Sequence, residues 1–265
     1  MSLKALSMTY SSRIASAKGW IDRGAAVLHV GCGDGYLDPY LCTRFARVVG
    51  IDINFLELQS AASANEGERA DYVLIDGFVL PFASGSFDEI VSIDVLEHAE
   101  DDVALVREMS RVLRDGGRLV LIVPNADYPL TFDPINYLLE STVGRHVAVG
   151  MWGFGHRRLY TVESLSDLLA RVGLEVQETM GMSYSLVALI ENSYLLNLAQ
   201  PFTKSSASNL ALGVEAESGG MWRKVAAIEP PAVLQALRDL AIKLDRALFG
   251  GACRCINFLI VARKN

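Results

Sequence analysis

Three glycines at alternate positions follow a short apolar strand near the N-terminus, and this feature constrains the fold most strongly. The run from Val27 to Leu37 reads VLHVGCGDGYL, with Gly31, Gly33 and Gly35 after the strand. Glycine lets the backbone approach a bound ligand where a Cβ would clash, and the helix that follows presents unpaired N–H groups to it. The pattern therefore predicts a nucleotide-binding turn between a strand and a helix.

The glycine spacing separates two kinds of nucleotide site. A dinucleotide fingerprint, G-x-G-x-x-G, needs its third glycine at position 36, where this chain has Tyr36. Here the third glycine comes one residue earlier, at Gly35. An NAD-linked oxidoreductase is therefore disfavoured, but it stays open as an alternative.

Acidic residues stand at the ends of the next apolar strands. Residues 46–51 form an apolar run that ends at Asp52, 21 residues after Gly31, and residues 72–75 lead to Asp76. A carboxylate at the end of a strand can accept hydrogen bonds from both ribose hydroxyls of a nucleoside. We therefore expect Asp52 to hold a ribose, a role that would also suit NAD.

The order of these landmarks resembles that of class I S-adenosylmethionine-dependent methyltransferases of the type 11/23 kind. That family has G-x-G-x-G after the first strand and acidic residues after the second and third strands. A Leu-Pro-Phe turn and a fourth strand that begins Phe-Asp come next. The later landmarks of this chain are LPF at 80–82, SFD at 86–88, VLEH at 95–98 and GG at 116–117. The resemblance is close over residues 25–125 and looser over residues 156–182.

The resemblance implies both a fold and a cofactor. The fold is a Rossmann-like, doubly wound α/β sheet of seven strands, mostly parallel with an antiparallel last strand, plus a small helical insertion. The cofactor is S-adenosylmethionine, with Asp76 near the adenine amino group and Asp94 near the methionine end. The implied cofactor-binding residues are Gly31, Cys32, Gly33, Gly35, Asp52, Ile53, Asp76, Gly77, Phe78 and Asp94.

The second half of the chain is less regular, and we expect it to select the substrate. Residues 1–24 predict an N-terminal helix, and residues 25–183 with 253–265 predict the methyltransferase core. A loop rich in glycine and aromatic residues at 124–160 is the predicted substrate loop. Residues 184–252 predict a helical insertion that is either a cap or a dimerisation contact, with a membrane-surface element less favoured.

Histidines and loop side chains are the candidates for catalysis and acceptor binding. His98 and His156 are candidate general bases, because the pKa of histidine suits removal of a proton from a hydroxyl group. A helix-capping or packing role is the open alternative for His98. Trp152, Arg157 and Tyr160 are expected to bind the substrate. Ion pairing with the acidic first half is the open alternative for the arginine.

Composition narrows the function class further. The chain has 24 Lys and Arg against 31 Asp and Glu, a net charge of −7. This balance disfavours a nucleic-acid partner, since phosphate binding depends on clustered basic side chains. The four cysteines form no C-x-x-C pair and have no histidine at metal spacing, so reduced thiols and no metal site are expected.

The chain also lacks the sequence signs of export or membrane insertion. Its N-terminus is too polar for a signal peptide, and its longest apolar stretch is too short to span a bilayer, so a cytoplasmic location is expected. The predicted function is S-adenosylmethionine-dependent methyl transfer to a small-molecule or glycan-type acceptor, with oxygen favoured as the acceptor atom and a homodimer left open. A catalytically silent, methyltransferase-like binding protein is the other alternative.

Overall fold

The structure is a computed structural model that describes residues 7–191, 232–250 and 254–265. Residues 192–231, the central part of the predicted insertion at 184–252, lie outside the described residues. Among the described helices, none combines the length and the apolar character that crossing a membrane requires.

Strands and helices alternate along the described chain. The strands are β1 (Gly24–Val30), β2 (Phe45–Asp52), β3 (Ala70–Leu74), β4 (Phe87–Ile93), β5 (Leu113–Pro124), β6 (Leu174–Met182) and β7 (Asn257–Lys264). The helices are α1 (Met8–Trp20), α2 (Asp38–Cys42), α3 (Phe55–Ala64), α4 (Asp102–Val112), α5 (Pro134–Val143), α6 (Val162–Ala170), α7 (Ser185–Ile190) and α8 (Ala232–Phe249). Short 3-10 helices cover Leu96–His98 and Gly150–Phe154.

The described strands form one seven-stranded sheet in the order β3-β2-β1-β4-β5-β7-β6. The β1–β2, β2–β3, β1–β4 and β4–β5 pairs are all parallel. The sheet is mixed, mostly parallel with antiparallel pairing at its last strands, so the predicted Rossmann-like fold class is confirmed. The strand order reverses between β1 and β4, and sheets of this kind bind ligands at the carboxyl ends of the strands near that point.

Helix α4 shows how the sequence pattern packs against the sheet. The carboxylate of Asp101 caps the helix by accepting a hydrogen bond from the backbone N of Ala104 at 2.9 Å. Val106 and Met109 are fully buried, as the apolar spacing predicts. Val103 has the same spacing, which would place it inside, but it lies in the first turn of the helix and is 36% exposed.

The described residues group into two compact units. The sheet unit contains residues 16–124, 157–180 and 258–265, and the loop unit contains residues 7–15, 125–156, 181–191, 232–250 and 254–257. The domain bounds expected from the sequence, with a core at 25–183 and 253–265, remain a prediction. In the loop unit the backbone N of Asn125 donates to the carbonyl of Ile256 at 2.9 Å, and the N of Ile256 donates to Ser183 at 2.8 Å. These bonds join segments that are distant in sequence.

Two buried carboxylates hold helix N-termini within the loop unit. Glu191 accepts hydrogen bonds from the backbone N (2.9 Å) and the hydroxyl of Thr9 at the start of α1. Asp245 of α8 accepts from the backbone N of Tyr184 (2.6 Å) and of Leu186 (2.9 Å) at the start of α7. A carboxylate at this place satisfies N–H groups that have no partner inside the helix. The caps therefore tie residues 7–15 and 232–250 to residues 181–191.

One carboxyl group is buried inside the sheet unit. Glu89 of β4 lies in register with Val27 of β1 and Arg118 of β5, and it is 1% exposed. Its Oε1 accepts a hydrogen bond from the backbone N of Asp22 at 3.2 Å, and its Oε2 lies 3.7 Å from Nη1 of Arg118. Burial raises the pKa of Glu89 to about 7, and the opposing attraction of Arg118 is the smaller effect.

Candidate active site

The glycine turn leaves β1 in an unusual backbone conformation. Gly31, Gly33 and Gly35 all have positive φ angles, of 70°, 52° and 72°. The backbone N of Gly31 and of Cys32 both donate to the carbonyl of Ile51 in β2, at 2.8 and 3.0 Å. Three left-handed residues within five positions require glycine, since a Cβ is disfavoured there.

The three glycines differ in what surrounds them. A Cβ at Gly31 would lie 2.2 Å from Cγ2 of Val95, and a Cβ at Gly35 would lie 2.6 Å from Nδ2 of Asn65. Among the residues that the structure describes, a Cβ at Gly33 would meet nothing closer than Oε2 of Glu57, at 4.0 Å. Packing inside the protein therefore accounts for the first and third glycines. The second faces open space, where a ligand can approach the backbone.

Asp52 stands at the carboxyl end of β2 beside this open glycine. Its Oδ2 accepts a hydrogen bond from the backbone N of Gly33 at 2.9 Å, and its Oδ1 accepts from the N of Asn54 at 2.9 Å. Each carboxylate oxygen can accept more than one hydrogen bond. The two bonds fix the orientation of the carboxylate and leave it able to accept from a pair of ribose hydroxyls.

Exposed apolar and acidic residues follow β2 and β3. Ile53 is 54% exposed and Val79 is 77% exposed, while Phe78 is partly buried between exposed neighbours. Asp76 and Gly77 are also exposed. The backbone N of Ile75 donates to the carbonyl of Asp52 at 3.0 Å, and this bond brings the two strand ends together. The side chains proposed for the adenine ring thus follow strand ends that are hydrogen-bonded to each other.

Asp94, the third acidic residue of the candidate site, has a strained backbone conformation. Asp94 follows β4 with a φ of 54°, and its N donates to the carbonyl of Ile122 in β5 at 3.0 Å. A non-glycine residue in this region costs free energy and is often found at functional sites.

Cys32, in the glycine turn, is buried, and burial raises the pKa of its thiol, so the thiol stays protonated. The side chain of Cys32 packs inside the turn, and contact of this residue with the cofactor remains a prediction.

His98 ends the 3-10 helix that comes after Asp94. Its backbone N donates to the carbonyl of Val95 at 3.0 Å, and its side chain is 32% exposed. Nε2 lies 3.9 Å from Oε1 of the buried Glu97. The imidazole is therefore partly open to solvent and belongs to the same unit as the glycine turn.

Two of the predicted substrate residues are bonded to the segment that carries His98. The backbone N of Arg157 donates to the carbonyl of Glu97 at 2.9 Å, and its guanidinium lies 3.0 Å from the carboxylate of Glu100. The hydroxyl of the buried Tyr160 donates to Asp102 at 2.7 Å. The ion pair matches the alternative that the sequence left open for the arginine. Contact of either residue with an acceptor remains a prediction.

Trp152 and His156, the other predicted residues, belong to the loop unit. The indole Nε1 of Trp152 donates to Glu140 at 2.7 Å, and the ring of His146 stacks on the indole with centroids 3.7 Å apart. The ring of His156 lies 5.8 Å from that of Phe154. The roles proposed for Trp152 and His156 in catalysis and acceptor binding therefore remain predictions.

The sequence reading missed a buried polar cluster below the glycine turn. His29 lies in β1, and its imidazole Nδ1 lies 2.6 Å from the carboxylate of Asp38. Tyr72 donates to the same carboxylate at 2.8 Å. A glycine inside the apolar strand β2, Gly50, is the one sequence signal of this cluster, since interior glycine marks a close approach by another group.

The sheet order, the glycine turn and the carboxylate beside it are typical of nucleoside-binding domains of the Rossmann-like class. Residues 28–121 match a family model described as a methyltransferase domain. A protein of Mycolicibacterium smegmatis named as an S-adenosylmethionine-dependent methyltransferase is 31% identical over 159 residues, covering 60% of this chain and 55% of that protein. The chain thus spans just over half the length of this relative.

Two further comparisons agree with that class. The ubiquinone biosynthesis O-methyltransferase of Marinobacter nauticus is 28% identical over 175 residues, covering 63% of this chain and 71% of that enzyme. The structure of an S-adenosylmethionine-dependent methyltransferase from Mesorhizobium loti shares the fold, with a TM-score of 0.56 at 18% identity over 97% of this chain and 98% of that one. Residues 28–121 thus carry a methyltransferase domain similar to that of class I S-adenosylmethionine-dependent methyltransferases, and S-adenosylmethionine is the cofactor of the relatives that are named for it.

The contrast between Gly33 and Gly35 leads to a testable prediction. Replacing either by Ala strains a left-handed residue by about 1 kcal/mol. In Gly35→Ala the new Cβ also meets Asn65, Ala61 and Tyr72 within 3 Å, so we expect a further loss of about 2 kcal/mol in the free energy of unfolding. Gly33→Ala should keep more stability but bind S-adenosylmethionine at least about tenfold more weakly. Thermal unfolding and titration calorimetry measure both effects. Wild-type affinity in Gly33→Ala would show that the ligand does not approach this face.

Proposed function

We propose that the chain transfers a methyl group to the oxygen of a small-molecule or glycan-type acceptor. The observation that carries the proposal is the oriented carboxylate of Asp52 beside the open backbone of Gly33, 2.9 Å from its N. These residues fit a nucleoside, with Ile53, Asp76 and Phe78 for its adenine and Asp94 for its methionine end. The resemblance to an O-methyltransferase that acts in ubiquinone biosynthesis supports oxygen as the acceptor atom.

The residues of this chain would divide the work between binding and proton transfer. When bound, S-adenosylmethionine supplies an electrophilic methyl group on sulfur, which the acceptor oxygen takes by in-line displacement as the carbon–sulfur bond breaks. Asp52 and the glycine turn hold the nucleoside so that the reacting atoms are aligned. His98 accepts the proton that the acceptor hydroxyl loses. His156 is the second candidate for that step.

Titration calorimetry with S-adenosylmethionine and with NAD tests the cofactor part of the proposal. We expect the former to bind and NAD to bind far more weakly, and preference for NAD would contradict the proposal. Turnover with a panel of phenols, sugars, acids and amines then tests the acceptor part. Consumption of cofactor with phenols or sugars supports oxygen transfer. If cofactor binds and no compound consumes it, the silent binding protein becomes the better account.

Asp52→Ala should weaken the binding of S-adenosylmethionine by about 2 to 3 kcal/mol, because hydrogen bonds to a charged acceptor are lost. This corresponds to a rise in Kd of about 30- to 150-fold, measured by calorimetry. Asp71→Ala is the matched control, since Asp71 is an exposed carboxylate of the neighbouring strand whose contact is an ion pair with Arg47 at 3.9 Å. Equal affinities in the two variants would refute the role of Asp52.

A further inference from the structure

Three residues of neighbouring strands form a row directly below the glycine turn. His29 of β1 is in register with Gly50 of β2, and Gly50 is in register with Tyr72 of β3. Residues in register point to the same face of a sheet. A Cβ at Gly50 would lie 2.8 Å from Sγ of Cys32 and 2.8 Å from the ring of Tyr72. The missing side chain therefore makes room for the tyrosine ring between the strands and the turn.

The carboxylate of Asp38 joins the two ends of this row. Asp38 is the first residue of α2 and is fully buried. Its Oδ1 lies 2.6 Å from Nδ1 of His29, and its Oδ2 accepts from the hydroxyl of Tyr72 at 2.8 Å. Burial, and then the neighbouring carboxylate, raise the pKa of Tyr72, so the phenol stays protonated and donates.

Asn65 connects the cluster to the glycine turn. Its Nδ2 donates to the hydroxyl of Tyr72 at 2.8 Å and to the carbonyl of Ala61 at 3.0 Å, and it also lies 3.3 Å from the carbonyl of Gly35, the longest of the three contacts that the two amide hydrogens share. The backbone N of Asp38 donates to the same carbonyl at 3.0 Å. Two members of the cluster thus hold one carbonyl of the turn. A Cβ at Gly35 would lie within 3 Å of both Asn65 and Tyr72, so the turn rests directly on the cluster.

We propose that His29, Asp38, Tyr72 and Asn65 are positioning residues that hold the glycine turn in its cofactor-binding conformation. The inference rests on the proposed function of the turn. Glycines have many accessible backbone states, and three with positive φ form one conformation only if neighbouring groups select it. The apparent Kd of a ligand rises in proportion as the binding-competent fraction of the protein falls. Loss of the cluster therefore weakens cofactor binding without removing any group that touches the cofactor.

Tyr72→Phe is the sharpest test, because it keeps the ring over Gly50 and removes only the hydroxyl that links Asp38 to Asn65. We expect the Kd for S-adenosylmethionine to rise about tenfold, with turnover at saturating cofactor close to that of the wild type. Tyr184→Phe is the matched control. Tyr184 is buried whereas Tyr72 is partly buried, and the hydroxyl of Tyr184 donates to the carbonyl of Gly181 at 2.9 Å in the loop unit. That variant should lose similar thermal stability and keep its cofactor affinity within about twofold.

Asn65→Leu gives an independent test, since it breaks the same chain of hydrogen bonds at its other end. The double variant Tyr72→Phe/Asn65→Leu should bind no more weakly than the weaker single variant, because both changes interrupt one connection. Wild-type affinity in both single variants, or effects that add fully in the double variant, would overturn the proposal. A wild-type protein that does not bind S-adenosylmethionine would instead refute the proposed function, so the two failures are distinguishable.

Discussion

His98→Ala should lower turnover with a hydroxyl acceptor by about 10²- to 10⁴-fold, the range expected when a general base is removed. The affinity for S-adenosylmethionine should stay within about threefold of the wild type. Turnover and cofactor affinity should respond differently because the 3-10 helix that contains His98 follows β4 and the side chain of His98 is 32% exposed. Bonds from Arg157 and Tyr160 to the surrounding segment hold that helix without using the imidazole.

A pH profile distinguishes a base from a residue that only packs. The wild-type rate should rise with pH as the imidazole loses its proton, and the variant should lose this rise. His156→Ala is the comparison, because His156 is the other candidate for the same step. A large loss of turnover in His156→Ala alone would assign the role of general base to His156. Wild-type turnover in His98→Ala would remove His98 from the mechanism.

Glu89→Gln should make the protein more stable at pH 8 by about 3 kcal/mol, while the two proteins differ little below pH 4.5. Burial raises the pKa of Glu89 to about 7 in the folded protein, against 4.5 for an ordinary glutamate. Each pKa unit corresponds to about 1.4 kcal/mol. Glutamine keeps an oxygen for the backbone N of Asp22 and cannot ionise.

The sign of the expected stability change follows from the direction of the pKa shift of Glu89. A raised pKa means that the folded protein binds the proton more tightly than the unfolded chain does. The stabilising contribution is complete below pH 4.5 and is lost as the pH rises to about 7. Urea unfolding of both proteins at several pH values measures the difference. A difference that does not change with pH would show that burial does not control this carboxyl group.

Glu108→Gln provides a control of opposite sign. The hydrogen bond from Arg111 is the largest effect on Glu108, and it lowers the pKa of that carboxyl group. Its contribution is therefore present above the unfolded pKa and is lost as the pH falls. The glutamine variant should be less stable than the wild type at neutral pH, and this gap should close in acid.

Much of the candidate cofactor site could be predicted because local sequence patterns indicate it. The spacing of Gly31, Gly33 and Gly35 after an apolar run predicts a turn of a definite kind. Asp52 could be placed because it ends the next strand, and parallel strands bring their carboxyl ends to one edge of the sheet. These inferences need only a few neighbouring residues and the general geometry of βα units.

Other features depended on residues that are far apart in sequence. No local pattern shows that Gly50 lies between His29 and Tyr72, or that the carboxylate of Asp38 closes the row. In the sequence, Tyr160 is one aromatic residue of a loop, and only the fold shows that its hydroxyl donates a hydrogen bond to Asp102.

The sequence by itself determined the glycine turn and the acidic residue that ends the second strand, because short-range spacing encodes them, and its resemblance to a methyltransferase family implied the fold class. The tertiary structure decided which side chains support that turn and how residues 125–156 group with residues 181–191. Strand register and long-range hydrogen bonds settle these questions, and both depend on how the whole chain packs rather than on any one segment.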